Sequence, residues 1–187
     1  MTQEIEIEYK NLLTKDEYNR LWSHLSIPKK SKTQTNFYFE TEDFSLKKHG
    51  CALRIREKAG NYTLTLKEPH ETGLLETHDS LTKQEATLWI SGNKMEKPNI
   101  AKRLENININ ISDLCYYGSL TTERVEIQSD DVLIVLDYSM YNGKSDYELE
   151  VEAPTEEIGL NVFHSLLEDM NIPKRNTPNK IQRFFDR

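Results

Sequence analysis

The chain has 187 residues, enough for one domain with a sizeable core. Its 24 Lys and Arg against 31 Asp and Glu leave a formal charge of −7, which argues against a nucleic-acid polymer or an anionic membrane as a partner held by net charge. Cys51 and Cys115 fall in no metal-binding or redox spacing, and no apolar run approaches the ~20 residues that span a bilayer, so a single cytoplasmic domain over residues 1–187 is expected.

The chain opens with "EIEIEYK" (4–10), in which Glu4, Glu6, Glu8 and Lys10 alternate with Ile5, Ile7 and Tyr9, the pattern of a strand with one charged face. "LTKDEYNRLWSHL" follows with Thr14 as N-cap, Glu17 three residues on and Tyr18, Leu21, Trp22 and Leu25 at helical spacing. "TQTNFYFET" reads as a strand, and "ALRIREK" and "YTLTLKE" read as a hairpin across "AGN". "GLLETHDSL" is a further strand, followed by helical or irregular sequence in "TKQEATLWIS" and "PNIAKRLENI". "LTTERVEIQ", "VLIVLDYSM" and "YELEVEA" are the last three strands, Thr155 opens a helix through "EEIGLNVFHSLLEDM", and "PNKIQRFFDR" closes the chain as a short helix.

What matters is which residues share a face. Arg54, Arg56 and Lys58 alternate with Leu53 and Ile55, and Thr63, Thr65 and Lys67 alternate with Tyr62, Leu64 and Leu66. Arg124 and Glu126 oppose Val125 and Ile127, and Glu148, Glu150 and Glu152 oppose Leu149 and Val151. Any one such strand is most simply a solvated sheet face. The set is more specific, because the acidic rows lie on the first strand and one late strand while the cationic rows lie between them. The helices need apolar sheet surface to cover, which leaves the charged faces to water or to the inside of a closed barrel.

Oxygen ligands in pairs suit a hard divalent cation, Mg²⁺ or Mn²⁺, and arginines and lysines suit phosphate oxygens. Together they suit a triphosphate carrying its own metal, and without a Gly-x-x-x-x-Gly-Lys loop the phosphates have to be held by side chains. The five histidines show no ligand spacing and are assigned to no site, and the large aromatics are read as packing residues.

In this light "EIEYK" resembles the Glu-x-Glu-x-Lys signature of the CYTH superfamily, the triphosphate tunnel metalloenzymes. "FYFET", "LKKHGCALRIRE", "LTLKE", "TERVE", "ELEVE" and "NKIQRF" agree in order, so the resemblance covers nearly the whole chain. It implies an α+β fold built on a closed eight-stranded antiparallel barrel, with a charged lumen and helices packed outside. It also implies a metal-dependent triphosphatase acting on inorganic triphosphate or a related organic triphosphate. By the same resemblance Glu6, Glu8, Glu148 and Glu150 hold metal, and Lys10, Arg54, Arg56, Lys67, Arg124 and Lys180 hold phosphate. Asp137, orienting a water on the metal, and Lys67 are the residues closest to the chemistry.

Several family triphosphatases carry a lysine two residues before the mid-chain arginine, where this chain has Thr122, whose hydroxyl cannot serve as a comparable base. Water activation would then fall to the metal, a carboxylate or another lysine. The alternatives are a noncatalytic nucleotide or polyphosphate-binding module and, ranked lower for want of an adenine pocket, a class IV-type adenylyl cyclase. The oligomeric state, monomer or homodimer, is left open, and so is the choice within the Glu148, Glu150 and Glu152 row.

Overall fold

The opening charged row forms two strands, β1 (Thr2–Glu6) and β2 (Glu8–Leu13), in place of the single strand expected. Ile7 breaks it, and its carbonyl accepts a hydrogen bond from the Ala153 amide at 3.0 Å, outside the strand ladder. The computed structural model describes residues 2–25 and 31–186. Arg187, at the end of the expected terminal helix, lies outside the described residues.

After α1 (Lys15–His24) come β3 (Lys32–Thr41), the one-turn α2 (Ser45–Lys48), β4 (Ala52–Lys58), β5 (Asn61–His70) and β6 (Gly73–Leu81). Next are α3 (Lys83–Ile90), α4 (Pro98–Asn106), a 3₁₀ turn at Ile111–Asp113, β7 (Leu114–Ser129), β8 (Val132–Tyr141), β9 (Lys144–Glu152), α5 (Glu156–Asp169) and α6 (Lys180–Phe185). The strands form one antiparallel sheet in the order β1-β6-β5-β4-β3-β7-β8-β9-β2. Among the described residues it has nine strands where eight were expected, because the broken opening strand counts twice. Strand β7 is also longer than "LTTERVEIQ", reaching back to Leu114.

By contacts the chain divides into two compact units, Met1–Ile5 with Gln34–Leu120, and Glu6–Thr33 with Thr121–Arg187. In the first unit, Phe39, Leu53, Ile55, Leu64 and Leu66 project from one face of the sheet and pack with Ala86 and Trp89 of α3 and Ile100 and Leu104 of α4. Buried acids fasten α4 and α2 at their starts. Asp79 accepts from the Ile100 amide at 2.9 Å in the first turn of α4, and Glu40 accepts from the Leu46 and Lys47 amides, both at 2.9 Å, at the start of α2. Arg103 grips Glu68 with two hydrogen bonds of 2.7 and 3.0 Å.

In the second unit Val125, Ile134, Leu136, Leu149 and Val151 face Tyr18 and Leu21 of α1 and Phe163, Leu166 and Leu167 of α5. The capping box read at the start of α1 is present, with the Glu17 amide donating to Thr14 Oγ1 at 3.2 Å and the Thr14 amide to Glu17 at 2.7 Å. Thr155 caps α5 in the expected way, receiving the Ile158 amide at 3.3 Å. In each unit, then, the helices take the apolar face and the charged rows take the opposite one. Among the described residues no helix is long and apolar enough to cross a membrane.

Candidate functional site

In the second unit, strand register decides which charges meet. Asp137 lies across from Arg124 on β7 and from Glu148 on β9, while Lys10 lies across from Glu150 and Glu8 from Glu152. Directly opposed residues point the same way. The Leu133, Val135 and Asp137 row is therefore the row that faces the acids, and it is the Val132, Ile134 and Leu136 row that enters the core.

Asp137, Glu148 and Glu150 are buried and bring one carboxylate oxygen each to within 4.8 Å of one another, a set able to hold a cation. Arg124 donates to Asp137 through Nε at 2.8 Å and Nη2 at 2.6 Å, and to Glu150 through Nη2 at 2.6 Å. Lys180, the first residue of α6, places Nζ 2.9 Å from Asp137 and also bonds Glu148 and Glu150. Arg183, one turn on, donates to Glu148 at 2.6 Å and to Asp146 at 3.0 Å. Asp137, Glu148 and Glu150 thus meet Arg124, Lys180 and Arg183 with all six side chains largely buried.

Burial opposes ionisation of Glu150, but the charges of Lys180 and Arg124 outweigh it and hold its carboxyl well below the usual range. Glu148 goes the other way, pushed up to about 7 by burial first, with the Glu150 charge adding to it and Lys180 opposing. The two share one site, and the charge of the ionised one disfavours ionisation of the other. Glu152 is also pushed up to about 7, by burial, by Glu150 and by the charges of Glu6 and Glu8, against Arg124. The opening and late acidic rows therefore act on each other, as the alternation alone could not show. Glu8 has Lys10 as its ion-pair partner.

The first unit carries the other cations. Lys67 pairs with the buried Glu76 across the β5–β6 ladder, and Arg54 Nη2 is 3.8 Å from the same carboxylate. Arg56 donates through Nε to Asn36 on β3 at 3.1 Å. His78 lies on this face too, with Nδ1 2.9 Å from Thr65 Oγ1 and Nε2 3.1 Å from Glu4 and 3.5 Å from Glu76. Glu4, Glu76 and His78 form a second group with metal-ligand spacing. Sequence reading left out His78, Glu76, Arg183 and Asn36. Period-2 alternation with Thr65 and Lys67 across the hairpin would have placed His78 and Glu76 on the cationic face, whereas nothing local marks Arg183.

Thr122, in the position of the family lysine, is wholly buried, and its Oγ1 lies 3.1 Å from Ser139 Oγ, so the pair is a neutral hydroxyl contact.

In each unit the helices cover the apolar face of the strands and the opposite face carries buried carboxylates and cations, the layout of an α+β protein with a charged sheet face. The chain belongs to the CYTH domain family, whose model matches residues 4–185. It is 44% identical, over all of its length and 97% of the relative's, to a Bacillus subtilis (strain 168) protein named "Putative triphosphatase YjbK". A crystal structure described as "a putative adenylate cyclase" from Bacillus halodurans is 45% identical, with a TM-score of 0.95 and each chain covered completely. A Hippeastrum protein described as a "putative adenylyl cyclase" with "a dominant" triphosphatase activity is similar in fold, with 24% identity, a TM-score of 0.78, and 97% and 94% of the two chains covered.

Proposed function

We propose that the protein is a metal-dependent phosphohydrolase acting on inorganic triphosphate or a related organic triphosphate. The observation that carries this reading is the buried Asp137, Glu148 and Glu150 set with Lys180 and Arg124 upon it. Family membership and a relative named for triphosphatase activity point the same way. The donor set fits Mg²⁺ or Mn²⁺, since three carboxylate oxygens converge with no nitrogen or sulfur among them. Glu6 and Glu8 extend that acidic surface along β1 and β2.

A divalent ion held by Asp137, Glu148 and Glu150 would supply concentrated positive charge to phosphoryl oxygens. Lys10, Arg124 and Lys180 of the second unit, and Arg54, Arg56 and Lys67 of the first, bind the remaining phosphate charge. Lys67 donates to a phosphoryl oxygen while Glu76 fixes its position. Asp137, fixed by Arg124 and Lys180, orients the attacking water. A sheet closed into a tunnel around the ligand is part of this reading on the strength of family membership. A family match that runs nearly end to end supports one catalytic domain, and the acidic balance and sparse cysteines suit a cytoplasmic enzyme.

The Thr122–Ser139 hydroxyl pair favours a second reading, a binder without turnover, because it offers no base where the family has lysine. A screen of phosphate release from inorganic triphosphate, thiamine triphosphate and ATP, with Mg²⁺ and with Mn²⁺, tests the proposal. Metal-dependent phosphate release is the expected result. Tight binding without release would establish the second reading, and pyrophosphate with cyclic AMP from ATP would make the protein a cyclase.

A further inference from the structure

We infer that Asn36 is a positioning residue for Arg56, retained for phosphate binding at the expense of stability. Asn36 is completely buried on β3, on the face opposite Phe37 and Phe39, and lies directly across from Arg56 on β4. Its carboxamide oxygen accepts from Arg56 Nε at 3.1 Å, the one side-chain hydrogen bond Asn36 makes among the described residues. That bond also fixes the amide, because a flipped amide would set N–H against N–H. The Asn36 Nδ2 group is then left buried with no hydrogen-bond partner among the described residues.

A buried amide with an unpaired N–H is a costly choice for a fold, and an apolar side chain of similar size would avoid the cost. Natural chains accept such costs mainly where function requires them. What Asn36 provides in return is the aim of a guanidinium. With Nε engaged, the Arg56 fork is held by its stem and its terminal nitrogens are set in one direction, so less rotamer freedom is lost when a phosphate is bound. Gln34 Oε1, two residues back on the same face, also lacks a partner, but an acceptor among cations asks for no anion and carries no part of the inference. The inference rests on the proposed binding of triphosphate by Arg56.

The test is calorimetric titration of the full chain with inorganic triphosphate in chelator, so that no turnover intervenes, alongside thermal denaturation of the ligand-free protein. Asn36→Leu is expected to leave the melting temperature unchanged or raised and to weaken triphosphate binding about tenfold, the scale of one hydrogen bond to a charged group. In an Arg56→Gln background the same change should alter affinity by less than about twofold, whereas in an Arg54→Gln background the full loss should persist. If Asn36→Leu does not fold, Asn36→Ala is carried through the same cycle. A lowered melting temperature with unchanged affinity would make Asn36 structural. Loss that persists without Arg56 would mean that it does not act through Arg56, and either result overturns the inference. Should the wild-type chain bind no triphosphate in chelator, the same cycle is read as KM for inorganic triphosphate with Mg²⁺ or Mn²⁺, and a chain that neither binds nor hydrolyses it fails the proposed function and the inference with it. Wild-type binding that Asn36→Leu leaves untouched overturns the inference alone.

Discussion

Lys180 Nζ lies 2.9 Å from Asp137 Oδ2, on a carboxylate set that also includes Glu148 and Glu150. The ammonium group of the last helix thus stands where a divalent cation would be held. With Arg124 and Arg183 it balances three buried carboxylates, so a metal ion entering the set meets a charge already neutralised. Metal binding is expected to be weak alone and stronger with triphosphate, whose oxygens give the displaced Lys180 a new partner.

Replacing Lys180 by Met should therefore separate two effects. The ligand-free protein loses a buried counter-charge and should be destabilised by about 3–5 kcal/mol, while the stabilisation gained from Mn²⁺ grows because the competitor is gone. Thermal denaturation with and without Mn²⁺ measures both. A Mn²⁺ response no larger than that of wild type would mean that Lys180 does not compete with metal.

Asp137→Asn keeps size and removes charge. Turnover of triphosphate is expected to fall by two orders of magnitude or more, about 3 kcal/mol, together with most of the metal-induced stabilisation. Unchanged metal titration would remove Asp137 from the metal site.

The raised carboxyls fix the sign of a pH effect. Glu148 and Glu152, at about 7 against a usual 4.5, keep protons in the folded state that the unfolded chain has already released. Folding therefore takes up protons, and the ligand-free protein should lose stability as pH rises from about 5 to about 7. Glu150 is held well below the usual range, so its stabilising contribution is complete by the start of that window and does not reverse the slope. Denaturant titrations at several pH values measure the slope. Saturating Mg²⁺ or Mn²⁺ should flatten or invert it, since the ion favours the ionised carboxylates. A stability that rises steadily across the window would show that these carboxyls are not raised.

Arg54→Gln should weaken triphosphate binding by about 1.5–3 kcal/mol, with Lys58→Gln, nearer the hairpin turn, changing it by less than about 0.5 kcal/mol. Equal, small effects at both positions would indicate a solvated strand face.

Glu8→Gln and Glu150→Gln form a further test, because Glu8 lies across from Glu152 and Glu150 across from Lys10 on the same strand pair. The logarithmic rate losses should add to less than their sum if the two rows serve one metal-binding surface. Clean additivity would separate the opening row from the metal.

Much of this was already present in the order of residues. A strand's period of two places Arg54 with Arg56, and Glu148 with Glu150, on one face whatever the neighbours are, and a capping box such as Thr14 with Glu17 needs only four residues. Periodicity says nothing about which strand lies alongside or in what register, because those are decided by burial of distant apolar rows. Hence the break at Ile7, the meeting of Asp137 with Glu148, and the pairing of Lys10 with Glu150 belong to the tertiary structure. So does the return of Lys180 and Arg183 to acids more than thirty residues earlier, which the anchoring of Arg175 on Glu17, at 2.8 Å through each of two nitrogens, helps to hold in place. The sequence determined which charges share a face; only the packed sheet decided which of them share a site, since a buried charge finds its partners through long-range contacts that no local pattern encodes.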